Sequence, residues 1–263
     1  MLGHLDTEEL DRLNRQVQLS DAVAAAKVQC ARICSELLDS EAAYVDTLEV
    51  IDELFVGPLS TWSREEEAAG SASGGLSPVE AKAIFGSVGT LLTVNRDLLA
   101  SLRKSHHACI GHAEPPSVPT GTPRGVHCAG ELSVAMASAI ADAASGPLRH
   151  YAPYVQSFGL LTEQCRRLRE QRPRFATAVR VAELQPRSKG RSLQALLANP
   201  VQRLPRYRLL LLELKKHVEV LLAGGEADVG ATATVEKALD QVERVTERLD
   251  RRVGDAERRA RAM

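Results

Sequence analysis

Downstream of residue 30 the apolar positions recur at steps of three, four and seven. Ile33, Leu37, Tyr44, Leu48, Ile51 and Phe55 fall on one face of a 3.6-residue period, which predicts an amphipathic helix over 30–59. Gly57-Pro58 is expected to stop it. Residues 63–76 read as a loop by composition. Ser77-Pro78-Val79-Glu80 opens the next helix, with Ser77 as cap, Pro78 in the first turn and Glu80 closing a capping box. Ile84, Val88, Leu91, Leu98 and Leu102 form its stripe. Residues 103–130 hold Pro115, Pro116, Pro119, Pro123 and four glycines, and read as a long mobile insertion. Helical patterning resumes near Glu131 and runs to about 172, broken at Gly146-Pro147 and Pro153. A short helix follows Pro173, and 184–190 is a loop. The longest pattern runs from near Ser192 to about Leu222, through Pro200 and Pro205. Each proline removes a helix hydrogen bond, so a kink is expected there. Gly224-Gly225 ends that helix, and a last one starts near Thr232 with Val235, Leu239, Val242, Val245, Leu249 and Val253 as its stripe. Strand-like alternation is absent, so the class is all-α.

Composition agrees with this reading. Hydrophobic residues make up 44% of the 263, enough to fill a core, while aromatics are 3%, so Leu, Ala and Val must do the packing. Such side chains suit helices better than sheets. Residues 1–29 form a polar lead-in that could be helical but has a weak stripe, 30–254 one helical domain, and 255–263 the end of the last helix. The net charge of -1 supplies no global field for nucleic acid, and none is expected as a partner. Residues 164–208 are rich in Arg, which admits two readings: solvated helix faces, or a surface for acidic partners or lipid headgroups. Five cysteines without regular spacing argue against a disulfide framework and for a reducing compartment. The N-terminus lacks a signal-peptide pattern, and no segment approaches the ~20 apolar residues of a membrane span. A cytoplasmic location is expected, any membrane contact being peripheral.

Three features exceed what packing requires. Glu41 lies within or at the edge of the apolar stripe of its helix, being four residues after Leu37 and seven before Leu48. A buried charge is costly unless paired, so Glu41 either meets an internal Arg or is kept accessible for a partner. Opposite the Leu stripe of the 193–218 helix, Ala198, Gln202, Arg206, Leu209 and Glu213 form an outward ridge. An exposed Leu flanked by an amide and a cation resembles a contact patch. Asp250 sits at the stripe's edge on the final helix. His106, His107, Cys109, His112, His127 and Cys128 lack the paired spacing of structural zinc sites, and no metal or other cofactor is expected. No phosphate loop, nucleophile elbow or HExxH pair is present.

The segment 34–48, CSELLDSEAAYVDTL, resembles the first block of Dbl-homology domains, the catalytic modules of Rho-family guanine-nucleotide exchange factors. The segment 193–217, LQALLANPVQRLPRYRLLLLELKKH, is close to the family's most diagnostic block, and Tyr151-Ala152-Pro153-Tyr154 matches its Tyr-x-x-Tyr region. The resemblance implies an elongated bundle of about six main helices and release of nucleotide from a Rho-family small GTPase, without covalent chemistry. It also implies that Glu41 engages switch I, that Gln202 and Arg206 engage the switch II side, and that Ala198 helps select the GTPase; Leu209, from the outward ridge, and Asp250 complete the expected GTPase-binding set. The family often has Asn where Asp250 aligns, and Asp removes the donor. The 103–130 segment is a second departure, and the pleckstrin-homology domain that usually follows is not among these residues. The alternative is a Dbl-like scaffold that binds a protein or membrane without catalysing exchange.

Overall fold

The computed structural model describes residues 7–59, 61–62, 76–111 and 123–261, apart from the side chains of Asp250 and of 252–261. All regular structure among them is helical, as the patterning predicts. The first helix, α1 (Thr7–Ile51), begins well before residue 30. The described part of the lead-in is therefore no separate element. Its residues are good helix formers and hold no Gly or Pro, and Val23 and Ala26 are already buried. Nor does Gly57-Pro58 stop the helix. Asp52–Val56 widens to a π turn in which Gly57 N–H bonds to the Asp52 carbonyl, and helical backbone continues to residue 59. The wider turn makes room for the proline ring, which would otherwise meet the carbonyl four residues earlier.

The capping box forms as expected and opens α2 (Pro78–Phe85): Glu80 N–H donates to Ser77 Oγ at 3.2 Å, and Ser77 N–H donates to Glu80 Oε2 at 2.8 Å. A Cβ on Gly86 would lie 2.4 Å from the Lys82 carbonyl, and the chain breaks there before α3 (Val88–Ile110). All five predicted stripe residues of this region are buried. The 103–130 segment is corrected at both ends. Residues 103–110 continue α3, and 126–128 form a 3-10 turn leading into α4 (Ala129–Ser145). Three of its four prolines lie at 115–119, within the stretch 112–122 outside the described residues. Pro153 does not break α5 (Tyr151–Gln171), because it lies in the first turn, where no intrahelical N–H bond is lost.

Then come α6 (Pro173–Glu183), α7 (Leu193–Ala223) and α8 (Val229–Arg261). Helix α7 runs on through both prolines. Pro200 deprives the Leu196 carbonyl of its usual donor, and Asn199 Nδ2 lies 3.3 Å from that oxygen and 2.8 Å from the Ala195 carbonyl. Helix α8 starts three residues earlier than predicted because Asp228 caps it, accepting from Ala231 N–H at 2.7 Å.

The chain groups into two compact units, 1–39 with 100–142 and 207–241, and 40–99 with 143–206 and 242–263. The core of the first unit is apolar: Cys30, Cys34 and Leu37 of α1, Leu132, Met136 and Ile140 of α4, Tyr207, Leu211 and Leu214 of α7, and Val235 of α8 are buried. A Cβ on Gly224 would run into the Val23 side chain, which would have to shift to admit it. The second unit buries Tyr44, Leu48 and Ile51 of α1, Leu91 of α3, Tyr151 and Tyr154 of α5, Phe175 of α6 and Leu196 and Leu197 of α7. It also buries Glu41, Thr47, Asn95, Ser188 and Arg203.

Candidate functional site

Within the second unit, α1 and α7 form the walls of a groove of about 330 Å³. Ser40, Ala43, Asp46 and Thr47 line one side; Asn199, Gln202 and Arg206 line the other, with Lys189 and Arg191 of the preceding loop. Gln202 and Arg206 are exposed and Leu204 is buried, as the helical period places them. The groove thus brings together the two sequence blocks singled out by pattern. Lys189 and Gly190 both have positive φ, 54° and 71°, which turns the loop sharply into α7.

Glu41 is not accessible. It is 0% exposed and paired with Arg203, itself 3% exposed. Arg203 Nε and Nη2 donate to Glu41 Oε2, the former at 3.1 Å, and Nη1 donates to Ser40 Oγ at 3.3 Å. Of the two readings open from helix geometry, the internal Arg is the one the structure has. The physical reason is local: a carboxylate in the stripe of α1 meets a cation in the stripe of α7, and each offsets part of the other's burial penalty. Arg203 lies seven residues after the buried Leu196, a signal the sequence offered and the outward ridge obscured.

The pair belongs to a longer chain of polar contacts. The Arg203 guanidinium stands 5.3 Å from the Tyr44 ring centroid. Tyr151 Oη lies 3.1 Å from Tyr44 Oη and 3.0 Å from Asn95 Oδ1. A hydroxyl has one proton, so Tyr44 donates to Tyr151 and Tyr151 donates to Asn95. Asn95 Nδ2 then donates to the Leu91 carbonyl at 2.6 Å. Burial, then the neighbouring Tyr151, pushes the Tyr44 phenol well above its ordinary value. Tyr154 is buried too and donates to the Leu197 carbonyl of α7 at 2.6 Å.

The loop wall is tied to α1 by charge. Asp46 accepts from Arg187 and, at 3.2 Å, from Lys189. Burial alone would raise the Asp46 carboxyl, but these hydrogen bonds outweigh it and hold it below the usual carboxylate range. Arg191 donates through Nη1 to Thr47 Oγ1 at 2.8 Å and through Nε to the Ser188 carbonyl at 3.1 Å. Its Nη2 is buried with no hydrogen-bond partner among the described residues. Asp46, Thr47, Lys189 and Arg203 escaped sequence reasoning, and Arg191 entered it only as part of the Arg-rich stretch, because each acquires its role from a residue roughly 140–160 positions away.

The other candidates do not line the groove. Ala198 is half-buried, and Leu209, 63% exposed, lies on the part of α7 that belongs to the first unit. The side chain of Asp250 is outside the described residues. Several arginines of 164–208 are ion-paired: Arg166 with Glu163 and Glu170, Arg169 with Glu183, Arg172 with Glu80, and Arg187 with Asp46. The five cysteines are free thiols; burial pushes Cys30 up to about 11 and Cys165 to about 12. No group of three His, Cys, Asp or Glu side chains suited to a metal occurs among the described residues, and no described helix is long and apolar enough to cross a membrane.

The chain is similar to known proteins along most of its length. Mouse protein ECT2 is 29% identical over 221 residues, covering 81% of this chain and 20% of ECT2. Mouse FYVE, RhoGEF and PH domain-containing protein 6 is 29% identical over 209 residues, 75% of this chain and 12% of that protein. This chain therefore spans a fifth or less of these relatives. Among solved structures, the linker-DH/PH domains of p115-RhoGEF superpose with a TM-score of 0.64 at 22% identity, covering 89% of this chain and 59% of that one. The DH/PH fragment of PDZRhoGEF in complex with human RhoA gives 0.59 at 17%, covering 90% and 57%. The family model for the RhoGEF domain matches residues 33–250, which contain both walls of the groove, and the chain belongs to that family.

Proposed function

We propose that this chain is a guanine-nucleotide exchange module that binds a Rho-family small GTPase and promotes release of its GDP. The observation that carries this reading is the groove, which sets the exposed Gln202 and Arg206 across from Ser40–Thr47. A similar structure was solved as a complex with RhoA, which supports a partner of that class. The reaction makes and breaks no covalent bond. Picomolar nucleotide affinity corresponds to ~16 kcal/mol, so the module must prefer the nucleotide-free conformation of its partner. Coupling is reciprocal: a surface that weakens nucleotide binding is itself displaced when GTP returns.

Gln202 offers donor and acceptor, Arg206 a cation, and Arg191 a buried guanidinium nitrogen with no acceptor among the described residues. Ala198, Leu209 and Asp250 are further proposed contacts, and Glu41, buried against Arg203 in the unbound chain, is the proposed contact for switch I. The test is release of a fluorescent GDP analogue from a panel of Rho-family GTPases. Acceleration, with tight binding to nucleotide-free GTPase and weak binding under saturating GDP and Mg²⁺, is the expected result. Equal affinity for both states would defeat the proposal, because a ligand without preference shifts no equilibrium, and would leave the scaffold reading.

A further inference from the structure

We propose that Cys109 and Cys128 form a reversible disulfide that ties the end of α3 to the start of α4. The proposal stands apart from the exchange reading, because every group in it belongs to the first unit. The His and Cys residues of 106–128 stand out in the sequence and take no part in the groove. No three of them are placed to hold a metal among the described residues. What remains of the group is its thiols.

The backbone brings these thiols together from two sides. Cys109 lies seven residues after the buried Leu102, so it continues the inward stripe of α3 into the last turn of the helix. Gly125, with φ of 84°, sets the incoming chain against that turn: a Cβ there would lie 3.4 Å from Ile110 Cδ1 and 2.8 Å from Leu132 Cδ2. The Gly125 carbonyl accepts from Cys128 N–H at 3.2 Å and from the Cys128 thiol, its Sγ 3.5 Å away. One residue thus packs on the neighbour of Cys109 and holds Cys128. Both thiols are half-buried, whereas Cys30, Cys34 and Cys165 are buried. Cys30 and Cys34 are also four residues apart on one helix, where Cβ atoms stand ~5–6 Å apart, too far for the ~3.8 Å of a disulfide.

Charge sets the kinetics of the pair. Burial, then Glu131, raises the Cys109 thiol above its ordinary value; burial, then Cys109 and Glu131, does the same at Cys128. Little thiolate exists at neutral pH, so the pair oxidises slowly there. The same cause makes each sulfur a poor leaving group, so the bond once formed is slow to be reduced. A disulfide carries no charge and meets no repulsion from Glu131. The oxidant is a low-molecular-weight disulfide, RSSR. One cysteine thiolate attacks a sulfur of RSSR, its S–S bond breaks, and RS⁻ leaves behind a mixed disulfide. The second cysteine thiolate displaces the other RS⁻ as the Cys109–Cys128 bond forms. The two thiol protons end on the two released RSH molecules, and the two electrons lost by the chain reduce RSSR.

The experiment equilibrates the native full chain with oxidised and reduced glutathione at a pH of about 8.5, where thiolate is available. Remaining thiols are then alkylated and mapped by peptide mass. The five free thiols should fall by two, with a single linked peptide pair carrying Cys109 and Cys128. C109S and C128S should each abolish it, and C165S, in the other unit, should leave it intact. The equilibrium constant against glutathione should be at least about tenfold larger in the native chain than in denaturant, where only chain length joins the two sulfurs. The thermal midpoint of the oxidised chain should rise by about 5 °C over the reduced one. Equal constants in the native and denatured chain, or a midpoint unchanged by oxidation, would overturn the proposal. So would glutathione left standing on either cysteine, a bond from either to Cys34, or a disulfide-linked dimer. The comparison of native with denatured chain needs no variant, so it decides even if a serine variant fails to fold.

Discussion

The two units of this protein are built on different cores. Of the buried polar residues, Ser133 belongs to the first unit, where it donates to its own helix at the Ala129 carbonyl, 2.6 Å away. Glu41, Thr47, Asn95, Ser188 and Arg203 all belong to the second. The first unit is packed mainly by thiols, small side chains and aliphatic residues, with Tyr207 among them. The second interrupts its packing with ions and amides that ask for direction. The groove lies in the second, over the Glu41–Arg203 pair. Apolar packing tolerates rearrangement at constant volume, whereas a polar network has one satisfied geometry. A site that must hold several groups in register gains from the second kind of core.

The sharpest way to break this comparison is to break the pair from one side. Arg203→Met should cost ~3–5 kcal/mol by denaturant unfolding, because the Glu41 carboxylate stays buried without its cation. Most of that loss should return in E41M/R203M. A double variant as unstable as the single would mean that the second core is governed by volume after all. Leu211→Ala, in the apolar unit, should cost ~2–5 kcal/mol, set by how far the site can collapse. No change of charge elsewhere should restore it.

A smaller effect is expected at the edge of the second unit. Glu80 closes the capping box and also receives Arg172 at 2.8 Å, so Glu80→Ala should cost about 1 kcal/mol. Burial alone would raise the Glu80 carboxyl, but the Ser77 N–H and hydroxyl and the Arg172 guanidinium outweigh it and hold it low. Asp46 is held low in the same way. A carboxylate depressed in the folded state contributes stability above its unfolded value and loses it as pH falls through its folded one. Stability should therefore decline as pH drops below about 4, and the decline should be shallower in Glu80→Ala. Parallel acid profiles for the variant and the wild type would contradict this.

The smallest change in stability belongs to the residue with the largest proposed role. Arg206 is exposed, so Arg206→Glu should leave the thermal midpoint within about 0.5 kcal/mol of wild type. Binding to nucleotide-free GTPase should nevertheless be lost in a pull-down or titration. A variant that unfolds, or one that still binds, would remove Arg206 from the contact surface.

Much of the fold was legible because helix periodicity is local. The stripes of α2, α3 and α7, the capping box at Ser77 and the glycine stop at Gly224-Gly225 needed a few neighbouring residues each. Misreadings arose where a breaker's meaning depended on its place in the turn. Pro153 is harmless in a first turn, Pro58 follows a π turn, and Pro200 is compensated by Asn199. Residues 7–29 read as a lead-in that could be helical despite a weak stripe, and α1 begins there because a helix can be continued by propensity without a strong apolar stripe.

The candidate site divides along the same line. The sequence by itself determined an all-α protein, the outward face of α7 with Gln202 and Arg206, and a carboxylate at Glu41 that required an explanation. Those follow from the 3.6-residue period and from the cost of burying charge, both readable within one helix. Only the tertiary structure decided that the explanation is Arg203, 162 residues away, and that Asp46, Lys189, Arg191 and Thr47 complete the groove. Helical pattern specifies which face of an element is turned inward. Which side chain waits on the facing element depends on register between distant segments, and that register is set when the faces pack.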